Sequence, residues 1–549
     1  MPWDRTTIDA QILAVHAAVL NYDRIVFFGG DQHDPRLADL HQVDATCLFD
    51  CSSGTVTRIG SPPWDLFCCG HALSTHGTLV VAGGTFAFDH TVPGAHHDHF
   101  PGLRDTAIFR YEPASHGWRT TARLNPGEPA EPDRLRTGGR WYPTLVTLAS
   151  GDVLALSGHP GKDDLEHTNF IPEAFTPAPA PKGGWHQLGS YANASERQMF
   201  LGHETTYYPR AHLLPTGDLL LASPVASGKT VTLSVGTAPW SGTFHPVCHF
   251  GPGGDDAYGG WSESSVLLPL LHTEHYRPRV LLSGGERAWM LDLRGWRPGS
   301  TPEDQLAWRP TAPRGLAGSP RRMHGNLVLL PTGEVLATGG VATVPAPEGP
   351  LALDSTAVLE QEIYDPVANR WSALTDPDER AAVPRNYHSV ALLMRDGRVW
   401  TAGSDHDAGR GTGPGGAAEL RIEIYEPWYH RMPNRPEILA APDRWVTGQQ
   451  FQVRTTQATD IVRVAMVRCG SCTHAFNSDQ RYVTLRFDYT GSDELIVEAP
   501  PNGNVAPSGM WFLYTINSQG LPSEGITLYV STTPETKGER EWDALYEER

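Results

Sequence analysis

The sequence predicts an all-β protein: a seven-bladed β-propeller followed by an immunoglobulin-like β-sandwich. Three observations carry that expectation. A hairpin pattern recurs seven times between about residues 12 and 430. Glycine and proline, 56 and 46 of the 549 residues, punctuate short apolar runs from end to end, as they do in chains built of many short strands. After about residue 434 the repeat gives way to plain alternating strands.

Each hairpin is an apolar run, a polar turn and a second apolar run, often ending in Gly-Gly. The copies begin at Val15 ("VHAAVLNYDRIVFFGG"), Phe67 ("FCCGHALSTHGTLVVAGG"), Trp141 ("WYPTLVTLASGDVLALSG"), Tyr208, Trp261, Met323 ("MHGNLVLLPTGEVLATGG") and Tyr387 ("YHSVALLMRDGRVWTAGS"). Most are followed by a second pair of strands with an acidic turn and a Trp, such as "IYDPVANRW" at 363–371. Four short strands per unit of this size are the signature of a kelch-type blade. One blade cannot bury both faces, and closing the ring removes the exposed edges. Residues 1–434 are therefore expected to form the propeller. Residues 435–532, with runs such as "IVRVAMV" and "MWFLYTI", are expected to form the sandwich, and 533–549 a charged tail.

Composition narrows the partners. A net charge of −19 argues against nucleic acid or an anionic membrane as partner. No apolar run reaches the roughly 18 residues that a membrane helix needs. The opening "MPWDRTTIDAQ" has neither a basic nor an apolar leader region, so the sequence by itself points to the cytoplasm. Seven cysteines are too few for a disulfide scaffold, and their odd number leaves at least one thiol unpaired within the chain.

The chemistry emerges from counting. Nine residues before the turn glycine of each regular hairpin stand Cys68, Tyr142, Tyr208, His324 and His388, with Tyr387 beside the last. In the fifth hairpin Ser262 holds this level and Trp261 is level with Tyr387. A hairpin starts and ends on the same side, so all of these lie at one mouth of the propeller. A buried Tyr or His usually packs and makes one hydrogen bond, but so many at one level read as a site. Phenol, imidazole and thiol together suggest a metal, and a tetragonal nitrogen and oxygen set favours Cu(II). One more imidazole would complete the set, and His474 in "CGSCTHAFNSDQRY" supplies it from a loop of the second domain.

The motifs "FCCG", "RWYPT", "RNYHS", "THAFNSDQR" and "PSGMWFLYTINSQGLPS" together resemble the copper radical oxidases, the galactose oxidase and glyoxal oxidase group, over nearly the whole chain. The resemblance implies one copper ion and a protein-derived cofactor in which a thioether joins Cys68 to Tyr142. It implies Tyr142, Tyr387, His388 and His474 as ligands, Tyr387 axial and the two histidines equatorial. It implies a two-electron oxidation of a small primary alcohol or aldehyde, with dioxygen reduced to hydrogen peroxide. Tyr387 would accept the substrate proton, and the Tyr142–Cys68 radical would take a hydrogen atom from carbon.

Galactose oxidase has a Trp stacked on the cross-linked Tyr, where this chain reads Gly158-His159-Pro160. The count offers Trp261 as the cap instead. Cys69 is expected to turn away from Tyr142 by strand alternation. The loop around His96, His97, Asp98 and His99 is expected to shape the rim without holding an ion. Cys469 and Cys472 are expected to be structural thiols or a disulfide. The segments 159–164 and 404–416 are expected to set specificity. A monomer is expected, and known relatives are largely exported. Two rival readings stand beside the oxidase: a propeller that only binds a partner and keeps a relic site, and a copper protein without the radical.

Overall fold

The computed structural model describes residues 3–29, 46–75, 77–86, 102–125, 138–160, 169–177, 184–191, 193–205, 207–237, 239–251, 262–299, 305–316, 321–343, 354–405 and 418–532. Among them the regular structure is nearly all strand, with one α-helix, Ala194–Phe200, and a few single 3-10 turns. No helix among the described residues is long and apolar enough to cross a membrane.

Seven four-stranded antiparallel units follow one another along the chain. Each begins with the hairpin read from the sequence, for example Thr144–Thr147 with Val153–Leu156. Those strands are fully buried and largely apolar, as strands covered on both faces are. The outer pair is more polar: Ser115–Thr120 of the second unit has no buried residue. Inner strands of successive units touch one another, as in Gly70–Leu73 on Thr144–Thr147 and Val390–Leu393 on His16–Leu20. The seventh unit takes its fourth strand from the far end of the chain. Trp3–Asp9 pairs antiparallel with Arg421–Tyr425, so the N-terminus closes the ring. The sequence reading began the repeats at about residue 12 and left that strand out.

Buried ion pairs staple the loops that lead into the inner strands. Arg140 meets Glu173 at 2.8 Å, Arg385 meets Glu423 at 3.0 Å, and Arg322 shares Glu362 with Arg314. Their guanidinium groups also reach main-chain carbonyls, as Arg140 does at Ser157 (2.6 Å) and Ile171 (2.8 Å).

The C-terminal part forms two further sheets, one of four strands from Ile438–Ala440 onward and one of five that includes Gly509–Asn517 and Ile526–Ser531. Trp445, Val453, Trp511 and Leu528 lie in one apolar cluster with Leu220 and Leu267 of the fourth and fifth units. That cluster runs without a break from one part of the chain into the other.

Candidate metal centre

The five residues placed by counting share an unusual backbone. Cys68, Tyr142, Tyr208, His324 and His388 have φ of 60°, 61°, 44°, 59° and 61°. This left-handed conformation costs a non-glycine residue about 1–2 kcal/mol. It persists because the ring over-determines it: each turn is tied to its neighbour. The Tyr142 N–H donates to the Cys68 carbonyl (2.9 Å), the Tyr208 N–H to Tyr142 (2.9 Å), and the His324 N–H to Ser262 (2.7 Å). Gly403 packs so closely that an added Cβ would lie 2.4 Å from the His388 carbonyl. Repeated strain at one level of a fold marks a functional site.

His474 arrives from the second part of the chain. Ser471–Thr473 adds to the first unit by pairing with His16–Ala18. Further along, Asp479 accepts from the Leu73 N–H (2.7 Å) and the Thr147 hydroxyl (3.2 Å). Gln480 bonds to Leu327 and Leu329 of the sixth unit, and Arg481 to Leu213 of the fourth (2.7 Å). The segment thus meets the inner strands of units on opposite sides of the ring, so it runs through the channel. Arg210 fixes its tip by donating to the His474 carbonyl (2.8 Å).

Donor atoms of Cys68, His388 and His474 all lie within 4.8 Å of one another, with Cys68 Sγ 3.9 Å from His474 Nε2. The Tyr142 and Tyr387 hydroxyls hydrogen-bond each other. The His474 ring lies 4.9 Å from Tyr142, 5.5 Å from Tyr387 and 4.8 Å from His388, centroid to centroid. Cys68 packs in one buried cluster with Tyr142, and its sulfur is a free thiol.

Two partners fix the imidazole tautomers. His388 Nδ1 sits 2.7 Å from the Asp405 carboxylate, so Nδ1 carries the proton and Nε2 the lone pair. His474 Nδ1 sits 2.7 Å from Thr473 Oγ1. That hydroxyl donates to the Val15 carbonyl (3.0 Å), so here too Nδ1 donates and Nε2 is the ligand atom. Two Nε2 atoms and two phenol oxygens suit Cu(II).

Burial sets the charge. It pushes Tyr142, Tyr387 and the Cys68 thiol above their ordinary values and His474 below its own. Burial thus favours the uncharged forms of these four groups, and metal binding to phenols releases their protons. Burial also lowers His16, His71 and His212, the last two to about 3. In the unfolded chain all four imidazoles take protons near pH ~6.5. Below that pH the unfolded state binds more protons, so stability falls with pH. Urea titrations of the metal-free protein are expected to lose up to about 1.4 kcal/mol per pH unit for each of these histidines. A flat profile between about pH 7 and 5 would contradict their neutral burial.

Other residues divide by where they fall. Trp261 and the loop His96, His97, Asp98 and His99 lie outside the described residues. Among the described residues the rings around Tyr142, besides His474, are Trp141, edge-on at 4.0 Å, Tyr208 at 4.6 Å and Tyr207 at 5.6 Å. His324 stands beside Tyr387, 5.3 Å between centroids. His159 is buried, with its ring 6.5 Å from Tyr207. Cys69 packs with Leu66 and Leu73 in the main core, while Cys68 packs with Tyr142 and Tyr208. Cys469 and Cys472 are separate buried thiols, and Cys472 donates to Asn326 (3.3 Å). Sequence reasoning missed Asp405, Thr473, Trp141, Tyr207 and His16. Three carried a signal: the first hairpin opens "VH" where the seventh opens "YH", and Trp141 and Tyr207 stand one residue before Tyr142 and Tyr208, as Tyr387 stands before His388.

Residues 128–429 match the family model "Glyoxal oxidase N-terminus", and residues 435–530 match "Galactose oxidase-like, Early set domain". The chain is 29% identical over 410 residues to an aldehyde oxidase GLOX of Vitis pseudoreticulata, covering 70% of this chain and 71% of that one. It is 24% identical over 540 residues to a galactose oxidase of Gibberella zeae, covering 96% of this chain and 70% of that one. Among solved structures, a fungal alcohol oxidase of the AA5 family in complex with copper superimposes with a TM-score of 0.70 at 19% identity. The match covers 96% of this chain and 99% of that one.

Proposed function

We propose a reaction for this chain on the premise that it belongs to the glyoxal oxidase family, whose N-terminal model spans residues 128–429. The protein is an oxidoreductase, a copper radical oxidase, that oxidises a small molecule and passes two electrons to dioxygen. The substrate is a small primary alcohol or an aldehyde. An aldehyde reacts as its hydrate, which like an alcohol carries O–H and C–H on one carbon.

The observation that carries this reading is the convergence of two phenols, two imidazoles and a thiol at one buried point. Tyr142, Tyr387, His388 and His474 are the proposed copper ligands. A bound copper ion would polarise the substrate oxygen and store one of the two electrons. The other residues' work follows from their chemistry. Tyr387 accepts the hydroxyl proton. Tyr142, joined to Cys68, stores the second oxidising equivalent, because an electron-donating thioether makes a phenol easier to oxidise, and it takes the hydrogen atom from carbon. Asp405 and Thr473 hold the two imidazoles by Nδ1. Deep burial keeps water away from the radical. Trp261 remains the proposed cap on that radical. All proposed ligands come from one chain, so a monomer suffices.

A peroxidase-coupled assay tests the proposal. The copper-loaded protein is expected to release hydrogen peroxide with small aldehydes or primary alcohols, one peroxide per substrate oxidised. Absence of peroxide across aldehydes, primary alcohols and sugars would contradict it.

A further inference from the structure

We infer that His16 is a positioning residue for the bond between Cys68 and Tyr142: its Nε2 holds the Cys68 amide so that the sulfur stays against the tyrosine ring while the thioether forms. This rests on the copper-oxidase reading above. His16 belongs to the first unit and is none of the proposed ligands, yet its Nε2 accepts the Cys68 N–H at 3.2 Å. The turn that presents the thiol has each amide held by a separate acceptor. Phe67 N–H goes to the Asp65 carboxylate (2.8 Å), and Cys69 N–H to the Leu66 carbonyl (3.1 Å). Cys68 N–H lies between them and goes to His16. Cys68 has φ 60°, a conformation that relaxes unless its amide is fixed.

The imidazole is itself clamped. It stacks on Phe28 at 4.9 Å and 15°, meets His71 edge-on at 5.2 Å and lies 6.0 Å from His474. Its Nδ1 has no hydrogen-bond partner among the described residues. A buried polar atom of that kind carries a cost that an apolar ring would avoid. What the imidazole offers in return is the acceptor for Cys68.

Thioether formation breaks the Cys68 S–H bond and one Tyr142 ring C–H bond and makes one C–S bond. Two electrons and two protons pass to dioxygen, which becomes hydrogen peroxide. The step needs sulfur held at the ring carbon, which is the geometry that a fixed Cys68 backbone supplies.

The test follows the joining of the Cys68 and Tyr142 peptides by mass spectrometry while whole protein is loaded with copper in air. His16→Phe keeps a stacking ring and removes the acceptor, and His16→Gln keeps an acceptor. Folded His16→Phe is expected to cross-link at least about tenfold more slowly than wild type. Copper bound per chain should be unchanged, and His16→Gln should recover most of the rate. A wild-type rate in folded His16→Phe overturns the inference. Hydrogen exchange at the wild-type Cys68 amide needs no variant: strong protection is expected, and rapid exchange overturns the inference as well. If wild-type protein itself never joins the two peptides, the radical-oxidase reading falls, and with it this role for His16.

Discussion

Tyr142→Phe is expected to fold normally and to lose at least about a thousandfold in turnover, on the order of 4 kcal/mol of barrier. The fold should survive because the substituted ring keeps its edge-on contacts with Trp141 at 4.0 Å and Tyr208 at 4.6 Å. What disappears is the hydroxyl that bonds Tyr387. An unsubstituted benzene ring is far harder to oxidise than a thioether-bearing phenol, so the second oxidising equivalent has nowhere to reside. Peroxide release and thermal unfolding of the variant check the two halves of this expectation. Turnover within tenfold of wild type would remove Tyr142 from the reaction.

The largest effect on stability is expected from Glu362→Gln, about 3–5 kcal/mol. Glu362 is fully buried between two arginines. Arg314 Nε donates to it at 3.2 Å and Arg322 Nε at 3.1 Å. Burial alone would raise its carboxyl, but Arg322 and Arg314 outweigh burial and hold it below the ordinary value. The amide would leave both guanidinium groups buried without a counter-charge. Arg322 also donates to the Gly339 carbonyl (2.6 Å) and stands two residues before His324, so the damage reaches the ring of left-handed turns. Because the folded carboxyl is depressed, its contribution is complete above the ordinary carboxylate range. It is lost as pH falls through the folded value. Urea unfolding of both proteins should therefore give a full gap near pH 7 that narrows in acid. A gap that does not change with pH would contradict the ion-pair account.

Much of the site was legible because the repeat is regular. Counting nine back from a turn glycine is a local operation, and it reached Cys68, Tyr142, Tyr208, His324 and His388. All five turned out to share a left-handed backbone. That conformation was not legible, because it is held by hydrogen bonds between units, such as Tyr208 N–H to the Tyr142 carbonyl. Asp405 and Thr473 were missed for a different reason: their role depends on which ring nitrogen they meet. The buried pair Arg140–Glu173 spans 33 residues, and no periodicity links its members. The strand Trp3–Asp9 was overlooked because its partner, Arg421–Tyr425, lies at the other end of the repeats. His474 was anticipated as an imidazole supplied by a loop of the second domain. The side chains that anchor it, Asp479, Gln480 and Arg481, only acquire meaning once the ring surrounds them.

Peptide mapping of the protein after copper loading in air tests the central claim most directly. The account predicts a single joined species containing Cys68 and Tyr142, lighter by two hydrogens than the sum of the separate peptides. Recovery of the two peptides unjoined, from folded and copper-loaded protein, would contradict it.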